Sequence, residues 1–373
     1  MSLSLMEGNE AIARGAVAAG CRFFAGYPIT PATTILNAML KLLPPVDGIC
    51  LQGEDEIASI GACLGASMAG LKVMTATSGP GISLYSEQIS FAIGSEIPIV
   101  IVDVQRLGPS TGSATRGADG DINFLRWGNS GGMPVVVLAP VNIADCYTLT
   151  AHAFNLAEKF RCPAFIASNK EIAMTRESID LESLDIPAAI NRSAPPPGTP
   201  FVPFQVNKGQ RVPDFLPIGA DVPVRQTSST HGTEGYITTD HQEIAQTQQR
   251  LKDKLEMSIE EFSFYESFAE ADSETLIITY GVTARAAKAA IKELRNAGHS
   301  VGLLVLKTLW PVPARVIQSA AKNVKRVIVV EMNLGQYVHE IERVLPDKHV
   351  NFCGQMDGQL IRPENIKEAV ING

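Results

Sequence analysis

Four polar clusters interrupt an otherwise apolar first half of the chain, and each carries groups capable of chemistry. They are GYPITPATT (residues 26–34), QGEDE (52–56), TSGPG (77–81) and QRLGPSTGSATRGADGD (105–121). In the first, Pro28 and Pro31 fix the backbone of a segment that displays the hydroxyls of Thr30, Thr33 and Thr34. In the second, Glu56 precedes a run in which Ile57, Ile60, Gly61, Leu64, Gly65 and Met68 recur at helical spacing, which predicts a buried helix. A carboxyl group facing an apolar pocket has its pKa raised and can share a proton with a ligand nitrogen. Glu54, Asp55 and Glu56 also suit a helix N-terminus by charge alone.

In the third cluster, Thr77, Ser78 and Gly79 open a strand-to-helix turn, where glycine permits close approach of a ligand or serves only the turn itself. In the fourth, Arg106 ends the apolar run IPIVIVDVQ. A guanidinium there can grip a carboxylate through two parallel hydrogen bonds or pair with a nearby acid. Asp119, Asp121 and Asn123 alternate as metal ligands do, yet the rest of a calcium loop is missing. By a family resemblance set out below, Glu96, just before Ile97 and Pro98, is expected to support the site or a subunit contact.

The elements around these clusters read as an open α/β sheet. EAIARGAVAAG, ATTILNAMLKLL and DEIASIGACLGASMAG have helical periods, whereas CRFFAGY, GICLQ, KVMTAT, IPIVIVDV, MPVVVLAP and CPAFIAS read as strands. Near-continuous apolar strands separated by helices predict a parallel sheet covered on both faces. All four clusters then follow strands, at the carboxyl edge where such sheets bind ligands. Residues 1–180 form this block. Residues 181–265 are rich in proline and turns and read as an extended connector that becomes helical near its end. Residues 266–373 return to alternation, with TLIITYG, SVGLLVLKTLW and RVIVVEMN as strands, and form a smaller α/β domain.

Composition excludes several classes of function. The formal net charge of -8 lacks the basic footprint of a nucleic-acid surface or of a polybasic membrane patch. No apolar run reaches the length of a membrane span, and the first residues lack the order of a secretion signal, so a cytoplasmic location is expected. The six cysteines are scattered with no C-x-x-C spacing, which predicts neither an iron–sulfur cluster nor a zinc site in this chain.

GNEAIARGAVAAGCRFFAGYPITPATT, EDEIASIGACLGASMAG, MTATSGPGISLYSEQISFAIGSEIPIVIVDVQRLGPSTG and GLLVLKTLWP together resemble the alpha subunit of 2-oxoacid:ferredoxin oxidoreductases, of the 2-oxoglutarate and branched-chain types. The resemblance implies a thiamine diphosphate pyrimidine-binding domain followed by a transketolase C-terminal-like domain, with the cofactor shared between this chain and a beta subunit. It implies that Glu56 hydrogen-bonds N1′ of the aminopyrimidine, that Pro28, Thr77, Ser78 and Gly79 pack near the cofactor, and that Thr30 and Arg106 hold the substrate carboxylate. The reaction it implies is oxidative decarboxylation of a 2-oxoacid with transfer of the acyl group to coenzyme A.

Two departures stand out. SATRGADGD replaces the P-T-x-x-x-Q-x-D that usually follows GPSTG, and the GDG…N signature for the diphosphate and Mg²⁺ is absent. The expectation is therefore a subunit inactive alone, dependent on a beta subunit for diphosphate and Mg²⁺ and on ferredoxin or a ferredoxin-like subunit for electrons. The alternatives are the pyrimidine-domain subunit of a non-oxidative 2-oxoacid decarboxylase and a non-catalytic scaffold of the same fold.

Overall fold

The chain opens with a short strand, β1 (Ser4–Glu7), and helix α1 (Gly8–Ala18). Six apolar runs then form parallel strands: β2 (Phe23–Gly26), β3 (Ile49–Gln52), β4 (Val73–Thr77), β5 (Ile99–Gln105), β6 (Val136–Leu138) and β7 (Pro163–Asn169). Between them run α2 (Thr33–Leu42), α3 (Glu56–Met68), α4 (Gly79–Leu84), α5 (Ser86–Gly94), α6 (Ile122–Trp127) and α7 (Ile143–Phe160). A short helix, α8 (Lys170–Met174), leads to β8 (Arg176–Ile179), which pairs antiparallel with β1. This computed structural model describes residues 3–269 and 273–373.

Strands β4, β5 and β7 are buried along their whole length, as expected where helices cover both faces of a parallel sheet. The sheet order places β3, β2, β4 and β5 side by side. Their carboxyl ends are consequently neighbours, and the loops that follow them share one edge of the molecule.

Beyond β8 a short 3-10 turn (Leu181–Ser183) leads into chain that runs over the first block without further helix until His241. Arg192 fastens this segment: it donates to Glu158 at 3.0 Å and to the carbonyl oxygens of Ser67 and Leu71 at 2.7 and 2.9 Å. Helix α9 (His241–Glu256) follows. Arg250 and Lys254 on this helix converge on Glu96, which is fully buried at the amino end of β5. Glu96 therefore anchors α9 at the edge of the sheet opposite the four polar clusters.

The second sheet contains β9 (Tyr265–Phe268), β10 (Thr275–Tyr280), β11 (Val301–Leu306), β13 (Arg326–Glu331) and β14 (His349–Gly354), in the order β14-β13-β10-β11-β9. Its helices are α10 (Thr283–Asn296), α11 (Ala314–Ala321), α12 (Val338–Val344) and α13 (Pro363–Asn372). The run SVGLLVLKTLW, expected as one strand, divides at Lys307. Its second part, β12 (Thr308–Trp310), leaves the second sheet and pairs antiparallel with β6 at the edge of the first. The two sheets are thereby tied together, and each of the two hydrophobic cores draws residues from both: Phe24 and Val102 with Ile277 and Val305 in one, Ile60 and Phe165 with Ile278 and Leu304 in the other. Among the described residues, no helix is long and apolar enough to cross a membrane.

Candidate active site

Glu56 is the first residue of α3, whose N-cap is Asp55; the Asp55 carboxylate accepts from the Ala58 N–H at 2.7 Å. Asp55 thus takes the capping role that charge alone allowed for any of the three acids. That frees Glu56, which is buried, to face the turn that follows β4. A Cβ on Gly81 would overlap the Thr77 hydroxyl and come within 2.8 Å of Glu56 Oε1. The absent side chain is what lets the carboxylate, the hydroxyl and the turn close together.

The expected apolar stripe of α3 needs correction. Ile60, Cys63, Leu64 and Ser67 face inward, but Ile57 is 46% exposed and Gly61 and Gly65 are also exposed. Nothing lies within 4 Å of where a Cβ would stand at either glycine. Small and apolar residues on an outward face mimic a core stripe in sequence, which is why the periodicity misassigned them.

Thr77 and Ser78 are both fully buried, and Ser78 Oγ has no hydrogen-bond partner. Gly79 begins α4 with the carboxylate of Asp121 lying 3.6 Å from its Cβ position. Beneath the turn, the Tyr85 hydroxyl meets Thr75 Oγ1 at 2.9 Å. Burial pushes its phenol well above its usual pKa, so it remains neutral. Sequence reading took Gly81 only as part of the TSGPG turn and passed over Tyr85, because their importance comes from what folds against them.

The second group lies one strand pair away. Arg106 is buried and donates to the carbonyl oxygens of Thr30 at 2.5 Å and Thr111 at 2.9 Å. Among the described residues no acid pairs with it directly, and its Nε is buried without a partner. The guanidinium therefore joins the GYPITP loop to the GPSTG loop. Thr30 itself is exposed, on the same loop as the half-buried Pro28. Asn9 of α1 fixes that loop from behind by donating to Pro31 O and Thr34 Oγ1, each at 2.8 Å. The structure thus assembles Glu56, Thr77, Ser78 and Gly79 around one turn, and Thr30 and Arg106 around the adjoining loops.

Asp119 and Asp121 turn inward. Asp119 accepts from Asn169 at 2.8 Å, and its backbone N–H donates to Met332 O at 2.9 Å. Burial, with Glu331 and Asp121 nearby, pushes its carboxyl up to about 7.

Protein-family models match most of the chain. The family described as "Pyruvate flavodoxin/ferredoxin oxidoreductase, thiamine diP-bdg" matches residues 14–274, and "Pyruvate:ferredoxin oxidoreductase core domain II" matches residues 273–366. The chain is 40% identical over 373 residues to the 2-oxoglutarate synthase subunit KorA of Methanocaldococcus jannaschii, covering 100% of both chains. A solved 2-oxoglutarate:ferredoxin oxidoreductase from Magnetococcus marinus, with 2-oxoglutarate, coenzyme A and succinyl-CoA bound, superposes with a TM-score of 0.92 at 31% identity. That match covers 99% of this chain and 65% of the other. A split-gene transketolase in an inactive beta4 tetramer shares the fold at a TM-score of 0.57 and 13% identity. The chain belongs to the pyruvate flavodoxin/ferredoxin oxidoreductase family, as an alpha-type subunit of a thiamine diphosphate-dependent 2-oxoacid oxidoreductase.

Proposed function

We propose that this chain is the alpha subunit of a 2-oxoglutarate:ferredoxin oxidoreductase that converts 2-oxoglutarate and coenzyme A to an acyl-CoA, and that it is inactive without its partners. The observation that carries this reading is the closure of Glu56 and Thr77 around Gly81, a cradle that a Cβ would fill. With the unpartnered Ser78 hydroxyl beside it, the cradle fits the edge and face of an aminopyrimidine.

When bound, thiamine diphosphate supplies a carbon nucleophile for the 2-oxo group and a sink for the electrons that decarboxylation leaves behind. This chain's residues do the rest of the work on their side. Glu56 holds a proton at the pyrimidine N1′, while Thr77, Ser78 and Gly79 seat the ring and Pro28 stiffens the adjoining loop. The exposed Thr30 hydroxyl and the remaining donors of Arg106 hold the substrate carboxylate.

A beta subunit grips the diphosphate and Mg²⁺, for which this sequence has no GDG…N signature. Its seat is the outward face of α3, at Ile57, Gly61 and Gly65, together with Ile49 and Leu51 on the edge strand β3. Electrons leave through ferredoxin or a ferredoxin-like subunit. The six cysteines stay as free thiols in a cytoplasmic setting, and burial raises the pKa of each of them. Residues 1–180 form the pyrimidine-binding unit, 181–265 the connector and 266–373 the transketolase C-terminal-like unit.

The test is to purify the native complex and measure viologen reduction with a panel of 2-oxoacids. The expected result is reduction that needs 2-oxoglutarate, thiamine diphosphate and coenzyme A together. Carbon dioxide release without coenzyme A or an electron acceptor would establish a non-oxidative decarboxylase instead, and silence towards every 2-oxoacid would establish a scaffold.

A further inference from the structure

Asp103 sits in β5 directly beside Thr77 of β4 and Ala167 of β7. It is fully buried, and neither of its carboxylate oxygens has a hydrogen-bond partner in the usual donor–acceptor sense. Asp121, at the start of α6, likewise has a buried carboxylate oxygen, Oδ2, without a partner, and the two carboxylates interact side chain to side chain. Gln105 Oε1 accepts from the Asp121 N–H at 2.9 Å, so the same strand that carries Asp103 also fixes Asp121.

This pair occupies a definite place in the candidate site. The Thr77–Gly81 turn lies between two acids, with Glu56 against Gly81 on one side and Asp121 against Gly79 on the other. Arg106, three residues beyond Asp103, is close enough to act on the charge of Asp121, and its Nε remains unpaired. The other charged and titratable neighbours are Asp119 on the same loop and, behind Asp119, Glu331 and Tyr280 of the second sheet. Apart from Arg106, every group in this set is acidic or neutral.

Two carboxylates in contact inside a protein cannot both ionise without strong mutual repulsion, and a single proton between them turns that repulsion into a hydrogen bond. We infer that Asp103 and Asp121 share one proton beside Arg106, and that loss of this proton weakens the binding of the 2-oxoacid carboxylate. Burial followed by the Asp121 charge pushes Asp103 well above the usual carboxylate range. Asp121 is raised by burial to about 6, with the Asp103 hydrogen bond and Arg106 opposing the rise.

The sign follows from charge. With the proton in place the pair carries one negative charge; without it, two. The second charge lowers the positive potential at Arg106, so an anionic substrate binds less well as pH rises. By linkage, bound substrate makes the pair hold its proton more tightly. The two aspartates are thus positioning residues, acting through Arg106 and the turn. The inference rests on the 2-oxoacid reading given above.

Two measurements on the assembled complex test it. The first is infrared detection of a protonated carboxyl group in the folded protein at neutral pH, taken as wild type minus Asp103→Asn. The second is KM for the 2-oxoacid against pH in both proteins. The expected results are a positive protonated-carboxyl band in the difference, wild type minus variant, from which the Asp119 signal common to both cancels, and a wild-type KM that rises roughly tenfold between about pH 6 and pH 9. In Asp103→Asn the rise is lost, because an asparagine amide donates to Asp121 at every pH.

Absence of that difference band overturns the shared proton, and absence of any protonated-carboxyl band in the wild type does so without a variant that folds. A band with identical KM profiles in both proteins overturns the effect on substrate. A complex that shows the band but turns over no 2-oxoacid removes the functional reading, and with it the substrate role of the pair.

Discussion

Glu56 shows how much one side chain depends on its neighbours. Its type and position at a helix start were legible in the sequence, but three adjacent acids competed for the same explanation. The structure separates them, since Asp55 caps the helix and Glu56 is turned against Gly81. In the proposed role, a buried carboxylate at the edge of the cofactor ring would act by proton transfer, a contribution worth roughly 10²–10⁴ in rate. In the assembled complex, Glu56→Gln is therefore expected to lower kcat by roughly that factor. Subunit association should be unchanged, as read by gel filtration. A kcat within a factor of about two of the wild type would remove Glu56 from the chemistry. Arg106 was legible in a different way. Its place at a strand end suggested a carboxylate ligand or an ion pair, and the structure finds it bound to two carbonyl oxygens. Asp103 could not have been found from sequence at all, for within IPIVIVDVQ it is one polar residue in an apolar strand. Only the loop that returns Asp121 from 18 positions further along gives it a partner.

At the scale of elements, strands were easier to read than the faces of helices. A run such as IPIVIVDV is buried on both sides and says so by composition, whereas α3 hides an outward apolar face behind a core-like period. The split of SVGLLVLKTLW at Lys307 was likewise invisible, since both halves are apolar. What divides them is Lys307, whose Nζ lies 2.8 Å from Asp145 and 2.7 Å from Glu266, one acid from each block. Glu96 is the clearest element-level contact. Burial disfavours its charged form, but Lys254, Arg250 and Arg161 outweigh burial and hold its carboxyl down at about 2. A carboxyl depressed in the folded state stabilises fully above its unfolded value of about 4.5, and that contribution fades as pH falls towards 2. Glu96→Gln is thus expected to cost about 3–5 kcal/mol at pH 7, because it leaves the buried Lys254 and Arg161 and the half-buried Arg250 without their carboxylate. Urea unfolding should show the gap between variant and wild type narrowing as the pH drops from 4.5 towards 2. A gap independent of pH would contradict the ion-pair account of α9.

Across the whole molecule, the two sheets share their cores and exchange β12, so the second sheet serves as a rigid support for the first. Asn333 extends that support to the site by donating to Asp119 O at 2.9 Å and to Glu331 at 3.0 Å. On the proposed reading, the polar edge of the first sheet is nonetheless only part of an active site. Beside it lies the open face of α3 and β3, apolar and without side chains at Gly61 and Gly65, and this is the surface a second subunit would cover. The family and the four clusters were legible in the sequence because the motifs are local. The need for partners was legible too, in the missing GDG…N signature, whereas the face proposed to receive them shows only once exposure is known. The most direct measurement compares the purified chain, alone and after addition of its partner subunits, for 2-oxoacid-dependent reduction of an artificial acceptor in the presence of thiamine diphosphate, Mg²⁺ and coenzyme A. The account predicts no turnover by the chain alone and turnover once the partners are added; full activity from the isolated chain would contradict it.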